Sequence, residues 1–279
     1  MGTARPRVRI EAATLAGGDN NQDRYAYGDG WAFVLDGATS YSDTPPIHDG
    51  GWYAERLKNA LAPRLTTQPD RPTVDIVADA IQEAASAHHP SQGPCPTSTI
   101  ALARWDADQV ELHVLGDSYA YALTDEGPTI LTDNRIKQFG KGLRTLYRQR
   151  LREGHGFDDR HREILQALQR VEAAHRNRAR GYWVLGDNRL VGAQGISVKR
   201  HAAEVTRILL ATDGVPTGQL TDCLRSRRAV PAAAQILSLA EEAETLDTLG
   251  CSHPRAKKSD DKTLIVVTFA RVGPPERDS

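Results

Sequence analysis

The apolar positions of this chain come in short runs that end on charge. Trp31 to Leu35 is wholly apolar and stops at Asp36-Gly37. Leu209 to Ala211 stops in the same way before Thr212-Asp213-Gly214. The strand-like Val110 to Leu115 runs into Gly116-Asp117, and Ser259-Asp260-Asp261 stands just ahead of another apolar run. Val8, Ile10 and Ala12 alternate with Arg and Glu, which predicts a first strand. Tyr25 to Tyr27 and Trp31 to Leu35 flank Gly28-Asp29-Gly30 and predict a hairpin. Further strands are expected over Ser98 to Ala103, Val110 to Leu115, Ser118 to Leu123, Arg207 to Ala211 and Thr263 to Ala270. Gly116-Asp117 would be a tight connection between two of them.

Helical spacing appears in between. Trp52 to Leu61 predicts one helix, and a second follows Pro72, with Thr73 as its cap and Val74, Val77, Ile81 and Ala84 along one face. Another is expected over Ala232 to Thr245. The stretch from Asn134 to Arg180 is rich in Arg and poor in strand signal. Within it, Phe157-Asp158 reads as a staple and N-cap for a helix whose Ile164, Leu165, Leu168 and Val171 share a face. Its Arg residues are either a solvated helix surface or a surface that guides substrate. Hairpins with helices arriving in pairs point to an α+β chain of antiparallel sheet layers covered by helices, not to βαβ winding.

Composition narrows the partners. The length of 279 residues would allow two domains, but no Pro/Gly/Ser-rich linker divides it, so residues 1–279 read as one domain with 134–180 as an insertion. Lys plus Arg is 35 against Asp plus Glu 36, a balance that argues for neither nucleic acid nor an anionic membrane. Cys95, Cys223 and Cys251 are odd in number and widely spaced, so reduced thiols are expected. No signal-peptide apolar region opens the chain, no apolar run reaches membrane-span length, and Pro6 stands where a myristoylation signal needs Ser or Thr. A cytoplasmic protein is expected.

An ionised Asp at the end of a buried strand is costly unless it is hydrogen-bonded, paired or metal-bound. One Asp-Gly alone reads as a turn; several at strand ends ask for a shared cause. Carboxylates and a backbone carbonyl without His or Cys form a hard oxygen site suited to Mg2+ or Mn2+. Two such ions about 4 Å apart can activate a water and clamp a phosphoryl group. Glycine after Asp36 would let its backbone carbonyl approach an ion.

Six motifs occur in order: NQDR (Asn21 to Arg24), VLDGATS (Val34 to Ser40), TSTIALA (Thr97 to Ala103), LGDSYAYAL (Leu115 to Leu123), LLATDG (Leu209 to Gly214) and SDDKTLIVV (Ser259 to Val267). Together they resemble the metal-dependent protein phosphatases, the type-2C serine/threonine family, from about Val8 to Ala270. The resemblance implies a four-layer α-β-β-α sandwich of two antiparallel sheets, with metals in a cleft at one end and a variable flap at 134–180. It implies that Asp36 bridges two Mn2+ or Mg2+ ions and that the Gly37 carbonyl binds one of them. Asp213 and Asp260 would hold the other, with Asp36 and Asp213 the catalytic pair. Asp23 would act directly or through a bound water, and Asp117 would serve a weaker third ion. Whether Asp260 or Asp261 is the ligand stays open.

Departures from the family pattern are visible too. Ala38 replaces the His proposed as general acid in many members, leaving His48 as either a stand-in or an ordinary loop residue. Gln22 takes a place often acidic, Gly18 and Asp19 lie where many members have a phosphate-binding Arg, and Thr217 replaces a further third-metal Asp. Asp187 in GYWVLGDN either lines the cleft or sits in a turn. The implied activity is a phosphomonoesterase acting on phosphoserine or phosphothreonine proteins, with monomer favoured. The alternatives are a phosphatase of a small phosphorylated metabolite and a pseudophosphatase that keeps the fold for binding. Retention of Asp36, Asp213 and Asp260 argues against the last.

Overall fold

The computed structural model describes residues 6–38, 47–218, 220 and 232–270. Thr39, Ser40 and Cys223 lie outside the described residues. Among the described residues, ten strands form two five-stranded antiparallel sheets. In the first, β1 (Val8–Leu15), β10 (Lys262–Phe269), β9 (Arg207–Ala211), β6 (Tyr119–Thr124) and β7 (Gly127–Thr132) are neighbours in that order. In the second, the order is β2 (Arg24–Gly28), β3 (Trp31–Ala38), β4 (Thr97–Trp105), β5 (Gln109–Leu115) and β8 (Ile196–His201).

The apolar runs are continuous because the central strands are covered on both faces. Ala32 and Val34 of β3 face the other sheet and pack with Ala120, Ile208, Leu210, Ile265 and Val267. Phe33 and Leu35, one residue out of step, face outward against α1 (Gly50–Thr67) and α2 (Thr73–Ser86), where Tyr53, Leu57, Leu61, Ile76, Val77 and Ile81 meet them. On the far side, Leu209, Ala211, Leu264 and Val266 pack against Ile236 and Leu237 of α5 (Ala233–Leu246). Four layers result: helix pair, sheet, sheet, helix.

Several local expectations need correction. Thr73 does not cap α2; Pro72 occupies that place, and the Thr73 hydroxyl, already helical, donates to Glu111 Oε2 at 2.6 Å. The α2 core face is Ile76, Val77, Ala80, Ile81 and Ala84, with Val74 only half-buried. Helix α1 starts two residues earlier and ends six later than its apolar spacing indicated, capped by Asp49, which accepts from Trp52 N at 2.8 Å. Strands β7 and β8 were not foreseen; neither holds a buried residue, so neither writes a continuous apolar run. Gly116-Asp117 carries the chain from one sheet to the other, since β5 and β6 belong to different sheets. The left-handed φ of 87° at Gly116, where a Cβ would lie 2.5 Å from the Thr99 side chain, suits only glycine.

The stretch 134–180 holds two helices, α3 (Lys141–Arg152) and α4 (Asp159–His175). They share a small core of Tyr147, Leu151, Ile164 and Leu168, with Phe157 and Ala256 packed on it. Asp158 caps α4 as expected, accepting from His161 N at 2.8 Å.

Candidate metal centre

Antiparallel register gathers the carboxylates. Arg24 pairs with Leu35, so Asp23, one residue before, and Asp36, one residue after, meet at the same end of the second sheet. In the first sheet Ala211 pairs with Leu264, which brings the Asp213 turn to the Asp260-Asp261 turn. Ala211 also pairs with Tyr119, so Asp117 comes to the same end. A hydroxyl joins the two sheets here: Thr212 Oγ1 donates to Asp23 Oδ2 at 2.8 Å and accepts from Thr263 N at 2.9 Å.

Glycines let these turns close on one another. A Cβ on Gly37 would lie 2.4 Å from the Gly50 carbonyl oxygen and 2.6 Å from that of Gln22. One on Gly214 would lie 2.0 Å from the Asp261 carbonyl oxygen. Gly37 is therefore required by contact between the β3 end and the start of α1, a reason additional to the one its sequence context offered.

The two neighbouring acids at the last strand behave differently. Asp261 turns back on the backbone: its Oδ1 accepts from Gly17 N at 2.8 Å and its Oδ2 from Gln22 N at 2.7 Å. Both oxygens thus tie down the loop that carries Asp23. Asp260 Oδ1 instead accepts from Lys257 Nζ at 2.6 Å, and its carboxyl feels Asp213. The Asp260 carbonyl is fixed by Lys262, a fully buried ammonium that donates to it at 2.8 Å and to Glu244 Oε2 at 2.8 Å.

Crowding of like charges marks the cluster. Burial, then Asp213, Asp23 and Asp260, hold the Asp36 carboxyl well above the usual carboxylate range. Asp23 is pushed up to about 7 by burial, with Asp261 and Asp213 adding and the Thr212 and Thr263 hydroxyls opposing. Asp117 is raised to about 7 by burial and then by Asp213. Asp260 is raised by burial and by Asp213, against the pull of Lys257. Two or more carboxylates that cannot all ionise together call for cations.

The donor set fits hard divalent ions. Asp23 is 4% exposed, and its Oδ1 has no hydrogen-bond partner among the described residues. A buried carboxylate oxygen left this way is costly unless an ion takes it. Among the described residues no three Asp, Glu, His or Cys side chains are grouped to hold an ion by themselves. An ion such as Mg2+ uses only one or two carboxylates and keeps several waters, so an open set of carboxylates and a carbonyl suits it.

Of the other expected residues, His48 stacks flat on Trp52 with ring centroids 3.8 Å apart. Asp187 is exposed; its segment pairs at Leu185 with Ser98 and receives the Tyr53 hydroxyl on the Gly186 carbonyl. The sequence reading missed Thr212, Lys257 and Lys262. Thr212 sits inside a quoted motif, whereas nothing in a Lys-Lys-Ser-Asp-Asp run tells which Lys reaches which Asp. The insertion also reaches this end: Glu172 of α4 feels Asp213, and Asp117 feels Glu172 and Lys137.

The fold is shared with solved structures of serine/threonine phosphatases. No protein-family model matches the chain, and no curated protein sequence matches it. Solved structures do. The Mycobacterium tuberculosis serine/threonine phosphatase PstP is 18% identical with a TM-score of 0.56, over 95% of this chain and 99% of that one. The catalytic domain of PstP has also been solved with two manganese ions and superposes with a TM-score of 0.55 at 18% identity, over 95% of this chain and 99% of its own. Stp1 from Staphylococcus aureus is 14% identical with a TM-score of 0.58, over 97% of both chains.

Proposed function

We propose that this protein is a metal-dependent phosphomonoesterase that removes phosphate from phosphoserine or phosphothreonine in proteins. The observation that carries the reading is the gathering of Asp23, Asp36, Asp213 and Asp260 at one end of the sandwich, with a buried, unpartnered Asp23 oxygen among them. Asp36 would bridge two Mn2+ or Mg2+ ions, Gly37 would offer its carbonyl, Asp23 would complete one side, and Asp213 and Asp260 the other. Asp117, coupled to Asp213, would serve a weaker third ion. When bound, such ions supply a hydroxide nucleophile at neutral pH and offset charge on the phosphoryl oxygens.

The chain's own residues hold this arrangement. Thr212 orients Asp23 by its hydroxyl, Asp261 pins the loop that leads into Asp23, and Lys262 fixes the backbone of Asp260. Helices α3 and α4 would form the surface that reads the protein substrate; the field of Glu172 at Asp213 supports a place beside the cleft. A cytoplasmic setting accords with Cys95 and Cys251 being in no disulfide among the described residues.

The test is phosphate release from an aryl phosphate, from phosphoserine and phosphothreonine peptides and from a set of phosphometabolites, each with Mn2+ and with EDTA. Peptide hydrolysis that requires the metal is expected. Metal-independent turnover would remove the mechanism, and hydrolysis of a metabolite alone would replace the substrate class.

A further inference from the structure

We infer that Lys257 is the residue that binds the phosphoryl group of the substrate, an inference that rests on the phosphatase reading above. The cluster's central carboxylates, Asp36, Asp213 and Asp260, all act on this one ammonium: Asp260 directly at 2.6 Å, Asp36 and Asp213 through their charge. Its side chain is 62% exposed, so it stands at the solvent side of the site, where Asp213 is also exposed, Asp36 and Asp260 are half-buried and Asp23 is buried. A phosphate dianion entering from solvent meets it at the threshold.

The ammonium also has capacity to spare. Lys carries three N–H donors, and among the described residues Lys257 uses one, on Asp260 Oδ1. It can keep Asp260 and still donate to a phosphoryl oxygen, which would join substrate and cluster through one side chain. Two other nearby cations are committed elsewhere. Lys262 is fully buried and bonded to Glu244, Ser259 and the Asp260 carbonyl. Arg144 is spent on Glu172 at 2.5 Å and on the Phe139 carbonyl.

The position of Lys257 is itself built. The chain just before it is clamped to the insertion: His161 Nε2 and the Ala256 carbonyl are 2.7 Å apart, Ala256 packs in the α3–α4 core, and the Arg255 guanidinium lies over the Phe157 ring. The insertion therefore sets where this ammonium stands.

Inorganic phosphate is the probe, with wild type, K257M and K257R compared. Binding is read by calorimetry on Mn2+-loaded protein and by competitive inhibition of aryl phosphate hydrolysis; Mn2+ affinity is measured separately. K257M should bind phosphate roughly tenfold more weakly, as expected for one charge-assisted hydrogen bond at a partly exposed site, and should raise KM more than it lowers kcat. K257R should retain most of the affinity, and Mn2+ should bind K257M no more weakly than wild type. Unchanged phosphate affinity in K257M overturns the inference. So does a loss of Mn2+ affinity that accounts for the phosphate effect, since Lys257 would then only be holding Asp260. Failure of the wild type to turn over any phosphomonoester with Mn2+ would instead sink the phosphatase reading itself.

Discussion

Adjacent acids at the last strand should separate into one that does chemistry and one that holds the fold. Asp261 accepts two backbone N–H groups, Gly17 at 2.8 Å and Gln22 at 2.7 Å, both partly buried. In D261N the amide oxygen can keep one of them, while the amide NH2 faces the other N–H donor to donor. Hydrogen bonds to a charged group contribute about 1.5–3 kcal/mol, and the partial burial argues for the lower half of that range. A loss of about 2 kcal/mol follows, or roughly 4–8 °C in melting temperature for a chain of this size. Asp260 differs: its hydrogen bond from Asp261 N at 3.0 Å survives in D260N, and the exposed pair with Lys257 is worth little. D260N should unfold within about 1 kcal/mol of wild type in EDTA. Its Mn2+-dependent turnover should nevertheless collapse, whereas D261N should keep measurable turnover below its lowered melting point. Urea or thermal unfolding in EDTA, set beside aryl phosphate kinetics at saturating Mn2+, separates the two. A D261N protein as stable as wild type yet inactive would refute the reasoning and move the ligand to Asp261.

Three further outcomes are expected. D36N should cost at least about ten times more turnover than D117N, because Asp36 couples to Asp213, Asp23 and Asp260 while Asp117 couples chiefly to Asp213, and losses around a metal's periphery run to about 10–100-fold; equal losses would undo that ranking. In EDTA, stability should fall as pH rises from about 4 to 7, since the folded state holds protons on Asp23 and Asp117, raised to about 7, that the unfolded chain has already released; added Mn2+ should stabilise more at pH 8 than at pH 5, and a flat Tm profile in EDTA would contradict the crowded cluster. For the insertion, Arg148 and Arg152 are exposed whereas Arg144 pairs with half-buried Glu172 at 2.5 Å. R148A/R152A should leave aryl phosphate kinetics unchanged and raise KM for a phosphoprotein substrate, while R144A should lower the melting temperature; unchanged kinetics of the double variant on the phosphoprotein would make those arginines a solvated surface.

Much of the architecture was legible in the chain because burial on two faces writes long apolar runs. Phe33 and Leu35 face helices while Ala32 and Val34 face the opposite sheet, so every position of β3 up to Leu35 must be apolar. The same force made the ends of those runs conspicuous: a carboxylate beside such a run stands at the boundary of the core, which singled out Asp36, Asp117, Asp213 and Asp260 as candidates. Edge strands were not legible. Strands β7 and β8 contain no buried residue, so burial wrote no apolar run for either.

What one dimension could not contain was the pairing of distant side chains. Asp260 and Asp261 are equivalent as letters; they differ because backbone N–H groups more than two hundred residues away, at Gly17 and Gln22, claim both oxygens of one and leave the other to face Asp213. Thr212 is one threonine among many until its hydroxyl bridges the two sheets to Asp23. Lys257 and Lys262 are both lysines beside an acidic pair, yet one is fully buried against Glu244 and the other stands at the mouth of the carboxylate cluster. Local sequence sets the period and the punctuation of each element, since those depend on near neighbours and on burial alone. Which carboxylate faces which ammonium depends on register and sheet packing, and those are decided only when the two sheets close on one another.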